Sequence, residues 1–101
     1  MRAHGRTDAN QPEIVAALRK AGAAVRVTSM VGDGWADVVV GYCGIDQQVE
    51  IKTPGGDLTP AQRKHHREWR DRGRPVVVVE SVAEALDLIR AMRAEAWRRA
   101  E

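Results

Sequence analysis

Near its start the chain carries apolar residues at helical spacing. In "NQPEIVAALRKAG" Ile14, Val15, Leu18 and Ala21 fall on one stripe, the signature of a helix burying a single face. Asn10 is placed to cap this helix, Pro12 suits its first turn and Gly22 ends it. "AAVRVTS" then reads as a strand, and "MVGDGW", with its two glycines, as a loop. "ADVVVGY" is a nearly continuous apolar run holding one acid, and "QQVEIK" alternates with the period of a half-buried strand. Only "CGID" separates them, which is short enough for a hairpin. After "TPGGD" the signals turn helical again: Thr59 as cap, Pro60 at the first position, Gln62 three after the cap, Gly73 at the end. "PVVVV" reads as a buried strand, and Ser81 with Glu84 as a capping box for a last helix bearing Val82, Leu86, Ile89, Met92 and Trp97. The order αβββαβα predicts an α/β fold with a mixed central sheet flanked by helices.

The hairpin decides which side chains share a face. A turn about Gly44 and Ile45 sets Asp37 opposite Lys52 and Val39 opposite Glu50. Asp37, Glu50 and Lys52 then project to one side of the sheet, and Val38, Val40, Val49 and Ile51 to the other. Two adjoining carboxylates repel unless a cation lies between them. Oxygen ligands of this kind suit Mg²⁺, and a neighbouring lysine can act on a water or on charge developing at a phosphate. A solvated Glu-x-Lys pair is the plainer alternative; the shared face with Asp37 weighs against it.

Charge adds a second feature. The 101 residues, read as one domain over 1–101, have a net charge of only +2 with 30% charged residues. Yet "RKHHREWRDRGR", residues 63–74, holds six Lys or Arg against two acids. A basic stripe beside an acidic pocket suits a phosphate-rich polymer and a cation better than a membrane. Lys64, Arg67, Arg70, Arg72 and Arg74 are the expected nucleic-acid-facing side chains, with His65 and His66 as phosphate contacts or plain surface. Arg6, ahead of the first helix, is a further candidate, as are Thr28 and Ser29 at a strand end near the acids. Cys43 is the sole cysteine, which excludes an intrachain disulfide and a Cys-based zinc site. The sequence shows no apolar leader and no segment of membrane-spanning length, so a cytoplasmic protein is expected.

These residues together resemble the PD-(D/E)XK nuclease superfamily, with its restriction-endonuclease-like core. The likeness is greatest to small phage VRR-NUC-type and Holliday-junction-resolvase-like members. It runs through "RTDANQPEIVAALRKAGAAV", "TSMVGDGWADVVVGY", "VEIKTPGGDLTPAQRKHHREW" and "SVAEALDLI". The resemblance implies a Mg²⁺-dependent DNA nuclease, with Mn²⁺ as a substitute, of a structure-selective endonuclease type serving replication, recombination or repair. Branched or flapped DNA is the implied substrate and a phage the implied source. Asp37 and Glu50 would bind the metal with the backbone carbonyl of Ile51, and Lys52 would act on the attacking water. Glu13 would match the acid of the first helix and Gln62 the glutamine that follows the Glu-x-Lys strand. Ala36 stands where the motif has proline.

Rival readings accompany several of these residues. Glu13 stands three after Asn10 and Gln62 three after Thr59, so each also fits a capping box. Asp33 competes with Asp37 for the metal, although "GDG" is turn chemistry. A non-catalytic or partner-dependent nucleic-acid-binding subunit is the alternative function, and a basic binding module is a third. A homodimer is expected, since Met92, Ala96 and Trp97 lie beyond the expected edge of the core.

Overall fold

A computed structural model describes residues 8–101 of the protein. Its elements are α1 (Gln11–Lys20), β1 (Ala24–Val27), β2 (Val38–Tyr42), β3 (Ile45–Ile51), α2 (Pro60–Arg72), β4 (Val77–Val79) and α3 (Val82–Ala100). The order is the αβββαβα expected. One sheet runs β1-β2-β3-β4; the first three strands are antiparallel and β4 lies parallel to β3. That parallel pair needs a crossover, which α2 provides.

One sheet face is apolar. Val38, Val40, Val49, Ile51 and Val79 meet Ile14 and Leu18 of α1 and Ala85, Ile89 and Met92 of α3. The helices cover this face because their apolar stripes fall at helical spacing. The other face carries Gln48 and Glu50, and α2 lies across it through side-chain contacts to both.

The hairpin turns one residue earlier than expected, which moves the strand pairing by two. Cys43 and Gly44 form it, with φ of 53° and 78°, and Tyr42 pairs with Ile45. Two central residues with positive φ match the tight turn whose twist suits antiparallel strands. Ile45 thereby joins β3 and becomes buried. Val38 faces Val49, so one step further Asp37 stands opposite Glu50 rather than Lys52. A shift of two preserves every residue's face, and the division into polar and apolar sides stands.

Other expectations change in detail. Asn10 adopts a helical φ and ψ and makes no side-chain cap. Its amide instead donates to the carbonyls of Lys52 (3.1 Å) and Glu80 (3.0 Å), which fastens the start of α1 to the ends of β3 and β4. The Ser81 hydroxyl caps α3 through Glu84 N–H, while the Glu84 carboxylate takes the N–H of Glu80. β4 is an edge strand, so Val78, on the face away from α1 and α3, is partly exposed. On α3, Met92 is 1% exposed and Ala96 packs on the core, which leaves Trp97, 69% exposed, alone of the three residues expected at a dimer face. Among the described residues no helix is long and apolar enough to cross a membrane.

The β1–β2 loop is pressed against α2 at Gly34. A Cβ there would lie 2.2 Å from the carbonyl oxygen of Ala61, at a φ of +77°. Only glycine allows both the close approach and that backbone conformation. Gly34→Ala should therefore destabilise the protein by roughly 2–4 kcal/mol, as expected of combined backbone strain and overlap. Urea unfolding measures it, and a loss below about 0.5 kcal/mol, the range of an inert surface change, would contradict this contact.

Candidate metal and nucleic-acid site

The site lies where β2 and β3 part. Thr28 N–H donates to Asp37 O (2.7 Å), which holds the backbone of Asp37 toward the β1 side. The Asp37 side chain then reaches the other way, and its Oδ2 accepts the Ile51 N–H at 2.7 Å. A side chain thus replaces the ladder partner that β3 loses as β2 ends. Asp37 is 9% exposed and Glu50, on the adjoining strand, 0%.

Glu50 is held from above by α2. Gln62 Nε2 donates to Glu50 Oε2 (3.3 Å), and His66 Nε2 lies 3.2 Å from Oε1. Gln62 also completes the capping box: its Oε1 accepts from Thr59 N–H (2.9 Å), while Thr59 Oγ1 accepts from Gln62 N–H (3.2 Å). Both readings of Gln62 therefore hold at once, one through each end of its amide. Burial first, and then the contact with Asp37 and its charge, push the Glu50 carboxyl up to about 9; the Lys52 ammonium acts the other way, and Asp8 raises it further. Lys52 is half-buried at the end of β3, where its charge is felt by both Glu50 and His66.

The amino-terminal acid brought to this place is Asp8, not Glu13. Asp8 Oδ2 accepts from Thr53 N–H (2.9 Å), directly after Lys52. Glu13 is exposed one turn into α1, and the acids acting on Glu50 are Asp37 and Asp8. Glu13 does not complete a box with Asn10 either, since Asn10 turns its side chain to Lys52 and Glu80. Ser29 is half-buried beside the site, where its hydroxyl accepts from Gln11 Nε2 (3.3 Å) and donates to Asp37 O (3.4 Å). Asp33 is exposed with φ 55°, a turn former.

His65 corrects an expectation. It is 5% exposed, stacks on Trp69 with centroids 4.4 Å apart, tilts against Trp35 at 4.8 Å and bonds Gln48 Oε1 at 2.7 Å. Burial lowers its pKa. A ring enclosed in this way is not a surface phosphate contact. Arg74 is likewise engaged inside the fold, through Gln47 and a two-pronged bond to Glu95 at 2.8 and 2.6 Å. Lys64, Arg67, Arg70 and Arg72 are exposed on α2, Arg70 beside Asp71. Arg6 lies outside the described residues.

His66, expected only as a phosphate contact or plain surface, instead meets Glu50, and Asp8 is a residue of this site that the sequence reading did not single out. For His66 the signal was present. Gln62, His65, His66 and Trp69 stand at the i, i+3, i+4, i+7 spacing of a buried helix stripe, written here in polar and aromatic residues. For Asp8 no periodicity marks it, because it precedes the helix.

Among the described residues no group of three or more His, Cys, Asp or Glu side chains is arranged to hold an ion. Two buried carboxylates with water and substrate phosphate are nonetheless the donor set that Mg²⁺ accepts. The buried like-charge pair is itself an argument for a cation, because two carboxylates cannot both ionise cheaply there.

No family model and no curated protein matches the sequence. A solved structure described as a VRR_NUC domain does match in three dimensions, with a TM-score of 0.66 at 27% identity, over 82% of this chain and 97% of that one. The fold is thus a VRR-NUC, PD-(D/E)XK-like nuclease fold. That likeness supports a nuclease-type domain.

The raised Glu50 pKa has a consequence for stability. Without metal, the folded protein keeps a proton on Glu50 that the unfolded chain releases near 4.5 and the folded one near 9. Glu50's contribution is therefore complete below the lower value and lost as pH climbs through the upper one. In chelator, wild type should lose stability relative to Glu50→Gln as pH rises from about 5 to about 9. Urea midpoints of both proteins across that range measure it; a constant difference would contradict the assignment.

Proposed function

We propose that this protein is a Mg²⁺-dependent DNA phosphodiesterase whose centre is Asp37, Glu50 and Lys52, with Mn²⁺ able to substitute. The observation that carries this reading is a fully buried Glu50 beside Asp37, with Lys52 next to them, on a nuclease-type sheet. When bound, a divalent cation supplies Lewis-acid stabilisation of phosphoryl oxygens and eases ionisation of a water. Asp37 and Glu50 are the carboxylates to hold it, with the Ile51 carbonyl as a backbone donor at the end of β3. Asp37 is pre-oriented by the Ile51 N–H, so its geometry does not depend on the ion. Lys52 presents a cation to the attacking water or to charge growing on the phosphate, a role in which position matters more than strength. Gln62 steadies Glu50 from α2. Asp8, bonded to the backbone of Thr53, is the amino-terminal acid of the site in place of Glu13.

The exposed side chains of Lys64, Arg67 and Arg70 on α2 stand on the helix that covers Glu50, so phosphates bound there would bring a strand to the carboxylates. Binding of that kind is electrostatic and weakens with salt. Selectivity for branched or flapped DNA is the finer form of this proposal. It rests on the likeness to junction-processing nucleases.

The test is cleavage of branched, flapped, nicked and continuous duplex DNA, with Mg²⁺ and with chelator. Cleavage that needs the metal supports the reading. DNA binding without cleavage on every substrate favours the non-catalytic subunit. Lys52→Ala should lower the cleavage rate about a hundredfold or more, the scale of a lost proton-transfer or charge-stabilising group. Calorimetry on the same variant should find metal and DNA affinities close to wild type, since the carboxylates and α2 are unchanged. Cleavage within about tenfold of wild type would remove Lys52 from the chemistry.

A further inference from the structure

We propose that His66 is a positioning residue for Glu50, acting through that carboxylate rather than on the substrate. The inference rests on the metal-site reading above. Both oxygens of Glu50 carry a partner from α2: Gln62 Nε2 at 3.3 Å on Oε2 and His66 Nε2 at 3.2 Å on Oε1. The two partners stand four residues apart, one above the other on the inward face of α2. The carboxylate plane cannot rotate without breaking both contacts.

The grip is itself held in place at either end. Gln62 is fixed by its bond to Thr59 N–H at the helix cap. The turn that bears His66 is fixed by His65, clamped between Trp35 and Trp69 and bonded to Gln48. An ionised carboxylate only accepts, so with Glu50 ionised the His66 ring must donate from Nε2–H. Each carboxylate oxygen has two lone pairs and gives one to α2, which leaves one on each for an ion. The same pair stays bonded when the proton sits on Glu50 and His66 Nε2 accepts, so His66 orders the ligand before the ion arrives. Outer partners of metal ligands act in this way, and their removal costs about 10–100-fold in affinity.

Mn²⁺ titration by calorimetry on wild type, His66→Ala and His66→Gln tests the inference. His66→Ala should weaken Mn²⁺ binding by about tenfold or more. His66→Gln, whose terminal amide nitrogen can donate in the same place, should recover most of it. Melting curves without metal identify any variant that has not folded. Imidazole ¹⁵N resonances of the wild type provide a second readout: Mg²⁺ should shift His66 while His65, buried on Gln48, changes little. Wild-type affinity in His66→Ala, or a His66 resonance indifferent to Mg²⁺, overturns the role of His66 and leaves the metal site standing. A wild type that takes up no Mn²⁺ overturns both.

Discussion

An ionisable side chain with no solvent exposure, Glu50, sits beside a second carboxylate, and the arrangement of the polar half of the molecule follows from it. Burying a carboxylate without partners costs several kcal/mol at the least. The fold answers with hydrogen bonds to Gln62 and His66, with the charge of Lys52, and with retention of a proton, the consequence of the raised pKa. Asp37 avoids the same difficulty by accepting a backbone N–H. None of these partners is free to be elsewhere. Asp37 is fixed by the divergence of β2 from β3, and α2 by its cap, by Gly34 and by the Trp35–His65–Trp69 stack.

The two faces of the sheet have different work. Against α1 and α3 the contacts are aliphatic and continuous, and this is where the hydrophobic stabilisation resides. Against α2 they are hydrogen bonds and aromatic rings. An inward stripe of Gln62, His65, His66 and Trp69 stabilises less than four aliphatic residues would, and in exchange gives polar atoms aimed at Glu50. A site that holds like charges together at some expense to stability is common where function requires it.

The element order, the Thr59–Gln62 cap and the polar face bearing Asp37, Glu50 and Lys52 were legible in the sequence. Each rests on local rules: helical period, strand alternation and cap chemistry. The face assignment survived a misplaced turn because a two-residue shift does not change parity. What was not legible depended on tertiary contact. His65 looked like part of a basic surface until Trp35, from a distant loop, enclosed it. Arg74 meets Glu95, 21 residues further along on α3, only through the folding of the chain. Glu13 matched the first helix's acid by position in the helix, but the attachment of Asn10 to Lys52 and Glu80 brings the residue before the helix, Asp8, to the site instead.

The central claim is that Asp37 and Glu50 together hold a divalent cation. Anomalous diffraction from crystals grown with Mn²⁺ locates such an ion without reference to activity. The account predicts a peak within bonding distance of both carboxylates, at about 2.0–2.3 Å from their oxygens as expected of small divalent ions with oxygen ligands, with the Ile51 carbonyl alongside. A peak confined to other residues, or crystals in which Asp37 and Glu50 remain bonded only to protein at saturating Mn²⁺, would contradict it.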